Sequence, residues 1–218
     1  MRRGMHPDGQ DIFGEVDWME GHRMEERPRN LVIRALGRHD ITLHIDDGYM
    51  GGGEAIEHDS DISMSDFTDY SYGRGGSNGQ MGFTTGLNAV AKGMGDRMGI
   101  FFYVLIAHDS TDNHFYSGQE GETRIWRTLI LDNRISRGHT SDYWMWVFMH
   151  ETGHIWLGNG IDGTHQSAGG GYEHCSNYDC AMYADENNYR GSYSNWNYCD
   201  ECWEEIERGD FAESLLPP

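Results

Sequence analysis

The chain is 218 residues long and carries 36 acidic against 16 basic side chains, a formal charge of -20 at pH 7; duplex DNA and anionic membrane surfaces, which are held by matched positive charge, are therefore excluded as expected partners. Apolar residues make up only 37%, yet 7 Trp and 12 Tyr supply large surfaces to bury, which excludes a natively disordered chain. No run approaches the ~18 apolar residues needed to span a bilayer.

At this length a single domain of two lobes is expected, burying roughly 70% of the unfolded chain's surface. Lys92 is the only lysine, and an acidic, lysine-poor surface is suited to concentrated salt, where screening relieves the repulsion between carboxylates. The start, Met1 to Asp8, has no apolar stretch of the signal-peptide kind, so a cytoplasmic location is expected.

In chain order, Asp11 to Trp18 alternates apolar and polar residues and predicts a strand. Pro28 opens a helical stretch, Arg29 to Arg38, with Leu31, Val32, Ala35 and Leu36 on one stripe, and Ile41 to Ile45 follows as a second strand. Strand, helix, strand predicts a parallel pair joined by a right-handed crossover. From Asp46 to Gln80 the composition turns to Gly, Asp and Ser and reads as a long surface loop, with a short helix after it over Thr84 to Gly93. Gly99 to Ala107 is an almost unbroken apolar run, as a strand covered on both faces requires. Glu122 to Leu131 alternates, predicting a strand exposed on one face and placed at the sheet edge, where a peptide could add as a further strand. Ser141 or Thr140 caps a helix running from Tyr143 to Leu157 and stopped by Gly158. A glycine-rich loop, Gly158 to Gly171, precedes a segment holding all four cysteines and a short acidic helix from Glu201 to Arg208.

Inside the helix stands His150-Glu151-Thr152-Gly153-His154. Residues four apart on a helix lie about 40° apart in projection, so both imidazoles face one way at a separation that suits a single metal ion. Glu151 projects to the side, where it can take a proton from an attacking water and return it to a leaving amine. The bland reading is a surface helix with stray histidines. The flanks, Trp146 to Met149 and Ile155 to Leu157, are apolar and bury the helix, where unpaired imidazoles would be costly. A catalytic zinc needs a third protein ligand and one open position; His165 and His174 are the candidates, and spacing does not choose between them. The cysteines stand as Cys175-x4-Cys180 and Cys199-x2-Cys202, a spacing typical of a tetrahedral structural zinc. Two disulfides are the alternative, but a pair two residues apart makes a poor bridge and a good metal knuckle.

His150-Glu151-x-x-His154, then Gly171-x-x-His174-Cys175-x4-Cys180-x-Met182, then Cys199-x-x-Cys202 resembles the archaemetzincin signature among the metzincin zinc peptidases. The resemblance is strong from His150 to Cys202 and upstream is one of architecture only. It implies His174 as third catalytic ligand, Met182 as the methionine of the turn beneath the metal, and Cys175, Cys180, Cys199 and Cys202 around a second zinc. Two departures stand out: fourteen extra residues separate His154 from Gly171, and sixteen rather than seventeen lie between Met182 and Cys199. The insertion keeps His165 as a rival ligand; the adjacency of His174 to Cys175 favours His174.

Tyr183 reads as a core tyrosine, with orientation toward the metal as the alternative. His44, His108, His114 and His139 lack metal-ligand spacing and read as structural or exposed. Glu57 to Asp69 lacks the Gly and terminal Glu of a calcium loop and reads as a solvated acidic loop. The expectation is thus an α/β, metzincin-like fold with a twisted, mainly parallel sheet: a lobe of residues 1–158 bearing the active-site helix and a small irregular lobe of 159–218 bound to zinc. The expected activity is zinc-dependent hydrolysis of peptide bonds, with two zincs and a peptide or protein substrate. The alternatives are a non-catalytic zinc-stabilised structural or interaction module and a hydrolase of non-peptide amides.

Overall fold

The computed structural model describes residues 10–50, 52–63, 67, 101–110, 127–132, 141–157, 175, 177, 179–183 and 197–208. The predicted helix at Thr84 to Gly93 lies outside them.

Strand β1 (Gln10–Met19), helix α1 (Glu26–Gly37) and strand β2 (Ile41–Asp46) form the first unit. The two strands pair in parallel, from Gln10 opposite Ile41 to Glu15 opposite Asp46. Pro28 falls in the first turn of α1, where its missing N–H is one that a helix start leaves unpaired anyway. Strands β4 (Phe101–Ala107) and β5 (Arg127–Leu131) extend the sheet in the order β2-β1-β4-β5, and every pairing among the described strands is parallel.

The predicted loop after β2 contains a strand. Buried Asp46 accepts backbone N–H bonds from Gly48, Met50 and Gly52 at 3.1, 2.8 and 2.9 Å, which folds the chain back on itself. Gly53, at φ +67°, passes so close to the Asp46 carbonyl that a Cβ has no room. Strand β3 (Ala55–Ile56) then pairs with the second half of β1, Trp18 opposite Ala55 and Met19 opposite Ile56. At two residues it is too short for an alternation signal.

Alternation along the strands sends Ile12, Val16, Phe102, Val104, Ile106, Ile130, Ile41 and Leu43 into one apolar core with α1 and with helix α2 (Ser141–Trp156). Gly14 lies opposite Phe102, and a side chain there would run into the Phe102 ring. That ring in turn meets Trp156 of α2 edge-on, with centroids 5.9 Å apart. The prediction that one face of β5 is exposed is not borne out: Thr128, Leu129, Ile130 and Leu131 are all buried. Alternation in this short strand reflects Thr128 set among apolar neighbours, while both faces are covered, as is usual in parallel sheets. Helix α3 (Asp200–Arg208) adds Cys202, Trp203 and Ile206 to the same core. It is fastened to the end of α1 by His39, which stacks on Trp203 at 3.7 Å and bonds Glu207 at 3.1 Å.

The other sheet face buries acids. Asp17 accepts from the Glu54 N–H at 2.8 Å and the Tyr103 hydroxyl at 2.9 Å, yet burial outweighs these bonds and raises its carboxyl from 3.8 to about 7. The unfolded chain loses this proton near 3.8 while the folded chain keeps it to about 7, so folding loses stability as pH rises between those values, by about 4 kcal/mol if the full difference is realised. Asp17→Asn should flatten that decline, gaining on the wild type from pH 4 to pH 7 in urea or thermal unfolding. Parallel stability curves would refute the assignment.

Candidate metal centre

Helix α2 begins at Ser141, within the cap predicted, and ends at Trp156. Trp144, Trp146, Val147, Phe148, Met149, Ile155 and Trp156 are all buried and Met145 part-buried, so from Trp144 onward the helix has no wet face. His150, Glu151 and His154 are buried with it.

The two imidazoles converge. Their Nε2 atoms are 3.3 Å apart, with the rings edge to face and centroids 4.9 Å apart. Two nitrogens bound tetrahedrally to one zinc at 2.0–2.1 Å would stand about 3.3–3.4 Å apart, so the pair fits such an ion. The outer contact of His150 also suits it: Nδ1 donates to the Ala181 carbonyl at 2.7 Å. A carbonyl only accepts, so the proton sits on Nδ1 and the Nε2 lone pair is left for the metal. Trp146 Nε1 donates to the same carbonyl at 3.1 Å, fixing it from a second side.

Met182, the next residue, packs against α2 at Gly153, where a Cβ would overlap its sulfur and crowd the Tyr198 hydroxyl. Tyr198 donates that hydroxyl to the Met149 carbonyl. Burial holds the phenol well above its ordinary value. It therefore stays protonated and keeps donating.

The four cysteines come together. Cys175 and Cys199 Sγ are 3.6 Å apart, Cys180 and Cys202 Sγ 3.7 Å apart, and all four sulfurs lie within 4.8 Å of one another. Four thiolates on one zinc at about 2.3 Å stand about 3.8 Å apart, whereas a disulfide needs about 2.05 Å; all four are free thiols. Backbone N–H groups of Asn177 and Cys199 point at the Cys175 and Cys180 sulfurs, each at 3.3 Å. The fold closes around them through bridges between Cys175 and Tyr183 and between Cys180 and Asn197. Without a metal the thiols share protons unequally: Cys175 and Cys199 are lowered, first through the Cys180 side chain, and Cys180 and Cys202 are raised, first through that of Cys175.

His174 and His165 lie outside the described residues, as do His114 and His139. Tyr183 is half-buried and bridges to Cys175 through its backbone. His44 is structural, bonded to Asp11 at 2.6 Å and stacked on Phe13 at 4.6 Å. His108 is not solitary, because His22 and His58 meet it in a cluster of other residues. Sequence reasoning missed Ala181 and Tyr198, whose roles rest on a backbone carbonyl and a hydroxyl that no motif spacing reports.

No protein-family model matches the chain, and a search of curated proteins finds no match. Among solved structures it is similar to a zinc-dependent peptidase from Methanocorpusculum labreanum (strain Z), at 12% identity and a TM-score of 0.47 over 88% of this chain and 100% of that one.

Because Ala181 follows Cys180, the cysteine cluster and the carbonyl beneath His150 are one piece of backbone. With a zinc ion held at each centre, Cys180→Ser should lower zinc at both, read as zinc per chain after dialysis. Loss of a single equivalent, with the His150 centre still full, would show the two to be independent.

Proposed function

We propose that the chain is a zinc-dependent metallopeptidase of metzincin, archaemetzincin-like type. Its catalytic zinc would be held by His150, His154 and His174, with His165 as the rival third ligand, and its structural zinc by Cys175, Cys180, Cys199 and Cys202. Met182 would be the methionine of the turn that the resemblance implies, and the lobes would divide between residues 158 and 159. The observation that carries this reading is the His150 and His154 pair: Nε2 atoms 3.3 Å apart, with the His150 proton held on the far nitrogen by Ala181.

A zinc held here would supply Lewis acidity toward a carbonyl and would lower the pKa of water. Glu151 would act as general base toward an attacking water and then as general acid toward the departing amine. Glu151 is buried beside the two imidazoles, at 1% exposure, where a low dielectric strengthens the field of a charged group. His150 is held in orientation by its Nδ1 bond to the Ala181 carbonyl, so its other nitrogen would not swing away during turnover. The substrate is a peptide or protein. The formal charge of -20 favours faster capture of basic than acidic peptides at low salt; nucleic acid and membrane have no part in this reading.

Glu151→Gln should reduce peptide hydrolysis by about 10²–10⁴ while zinc per chain stays unchanged. A non-catalytic zinc-stabilised module would instead show no hydrolysis in the wild type and no difference in the variant. Substitution of the third ligand should empty the catalytic centre, so His174→Ala should lose one zinc and His165→Ala none. The reverse pattern would transfer the role to His165.

A further inference from the structure

Parallel strands all end at one edge of a sheet, and in open α/β sheets that edge is where ligands gather. Here each of four strands delivers a side chain there. His22 follows the end of β1 by three residues, His58 follows β3 by two, and His108 and Asp132 directly follow β4 and β5. The four are far apart in sequence and neighbours only because β3, β1, β4 and β5 are aligned in parallel.

The three imidazoles form a closed triangle, with ring centroids 4.8 Å apart for His22 and His108, 5.0 Å for His58 and His108 and 5.2 Å for His22 and His58. One ring nitrogen from each lies within 4.8 Å of the other two. His22 Nδ1 donates to Asp132 Oδ2 at 2.9 Å, which turns its Nε2 toward His108 Nδ1, 3.0 Å away. Asp132 is itself fixed, since its other oxygen accepts from Trp144 Nε1 at 2.9 Å. This is the carboxylate–histidine pairing that orients a metal-binding imidazole. His58 is carried in by a segment sewn to the end of β4: Ile62 N–H donates to the Asp109 carbonyl at 3.0 Å and Ser110 Oγ to the Ile62 carbonyl at 2.6 Å.

We propose that His22, His58 and His108 bind a divalent transition-metal ion of the zinc, copper or nickel kind, with Asp132 as positioning residue. A proton relay without metal explains the bonds among Asp132, His22 and His108 but gives no reason for His58 to close the triangle. The donor set is all nitrogen, which selects against calcium and magnesium. No ligand is shared with the His150 centre or the cysteine cluster, so the site stands whether or not the peptidase reading holds.

The test is zinc per chain at equilibrium, measured on the whole protein and on the His22→Ala, His58→Ala and Asp132→Asn variants. Wild type should hold one ion more than either histidine variant, whatever its total, and excess calcium should not displace it. His58 is exposed, so its replacement tests the site even where His22→Ala fails to fold. Asp132→Asn should weaken binding of that one ion about 10- to 100-fold; a merely structural Asp132 would change the melting temperature and leave the affinity alone. Equal zinc in wild type and His58→Ala would overturn the proposal.

Discussion

The carbonyl oxygen of Ala181 is the point on which the candidate centre depends. It accepts from His150 Nδ1 and from Trp146 Nε1, and its backbone is held by the Ala181 N–H donating to Asn197 at 2.8 Å. A neutral imidazole can carry its proton on either nitrogen, and an outside acceptor decides which lone pair faces inward. That acceptor lies between Cys180 and Met182, so the tautomer of His150 on α2 is set by the segment that also carries Cys180. The nearest neighbours of this contact reinforce it. Met182 fills the space that Gly153 leaves, and Tyr198 crosses to Met149 while packing edge-on against Trp203, centroids 4.9 Å apart. From Phe102 through Trp156 and Tyr198 to Trp203, aromatic rings join the sheet to the cysteine segment.

Charge shapes the same core in a less expected way. With a formal charge of -20, the simplest arrangement keeps every carboxylate in water. Glu15, Asp17, Asp46 and Glu151 are nevertheless buried. Asp46 takes three backbone N–H donors, which replace the water it gives up. Asp17 takes two donors, which desolvation outweighs, and keeps its proton to about 7. The difference is one of local chemistry: Asp46 organises a loop around itself, whereas Asp17 lies between strands whose own N–H groups serve the ladder.

How much of this was legible in the sequence follows from the range of each interaction. Helix α2 and its histidine pair were legible because four residues make a helical turn, and the cysteine pairs because two residues make a knuckle. Strands β1, β2 and β4 came within a residue or two of their observed limits, since alternation and continuous apolarity are local properties. Strand β3 was hidden in a glycine-rich stretch; only the second half of β1, left open beyond β2, defines it. The covered faces of β5 depend on what packs there, which alternation does not report. His108 looked solitary for the same reason, its companions standing 86 and 50 residues earlier in the chain.

Both histidine clusters are nonetheless products of one helix and one sheet. Trp144, in the second turn's reach of the α2 start, fixes Asp132 behind His22; Trp146 and His150, further along, fix Ala181. Six residues separate Trp144 from His150, about 9 Å of helix axis. A helix enclosed by side chains at crystal-like density cannot slide by a fraction of a turn to suit one end without disturbing the other. The outer contacts of the two clusters are thus set by a single placement of α2. One contact that holds that placement is the Phe102 ring, seated over Gly14 and edge-on to Trp156, and it is invisible to any motif.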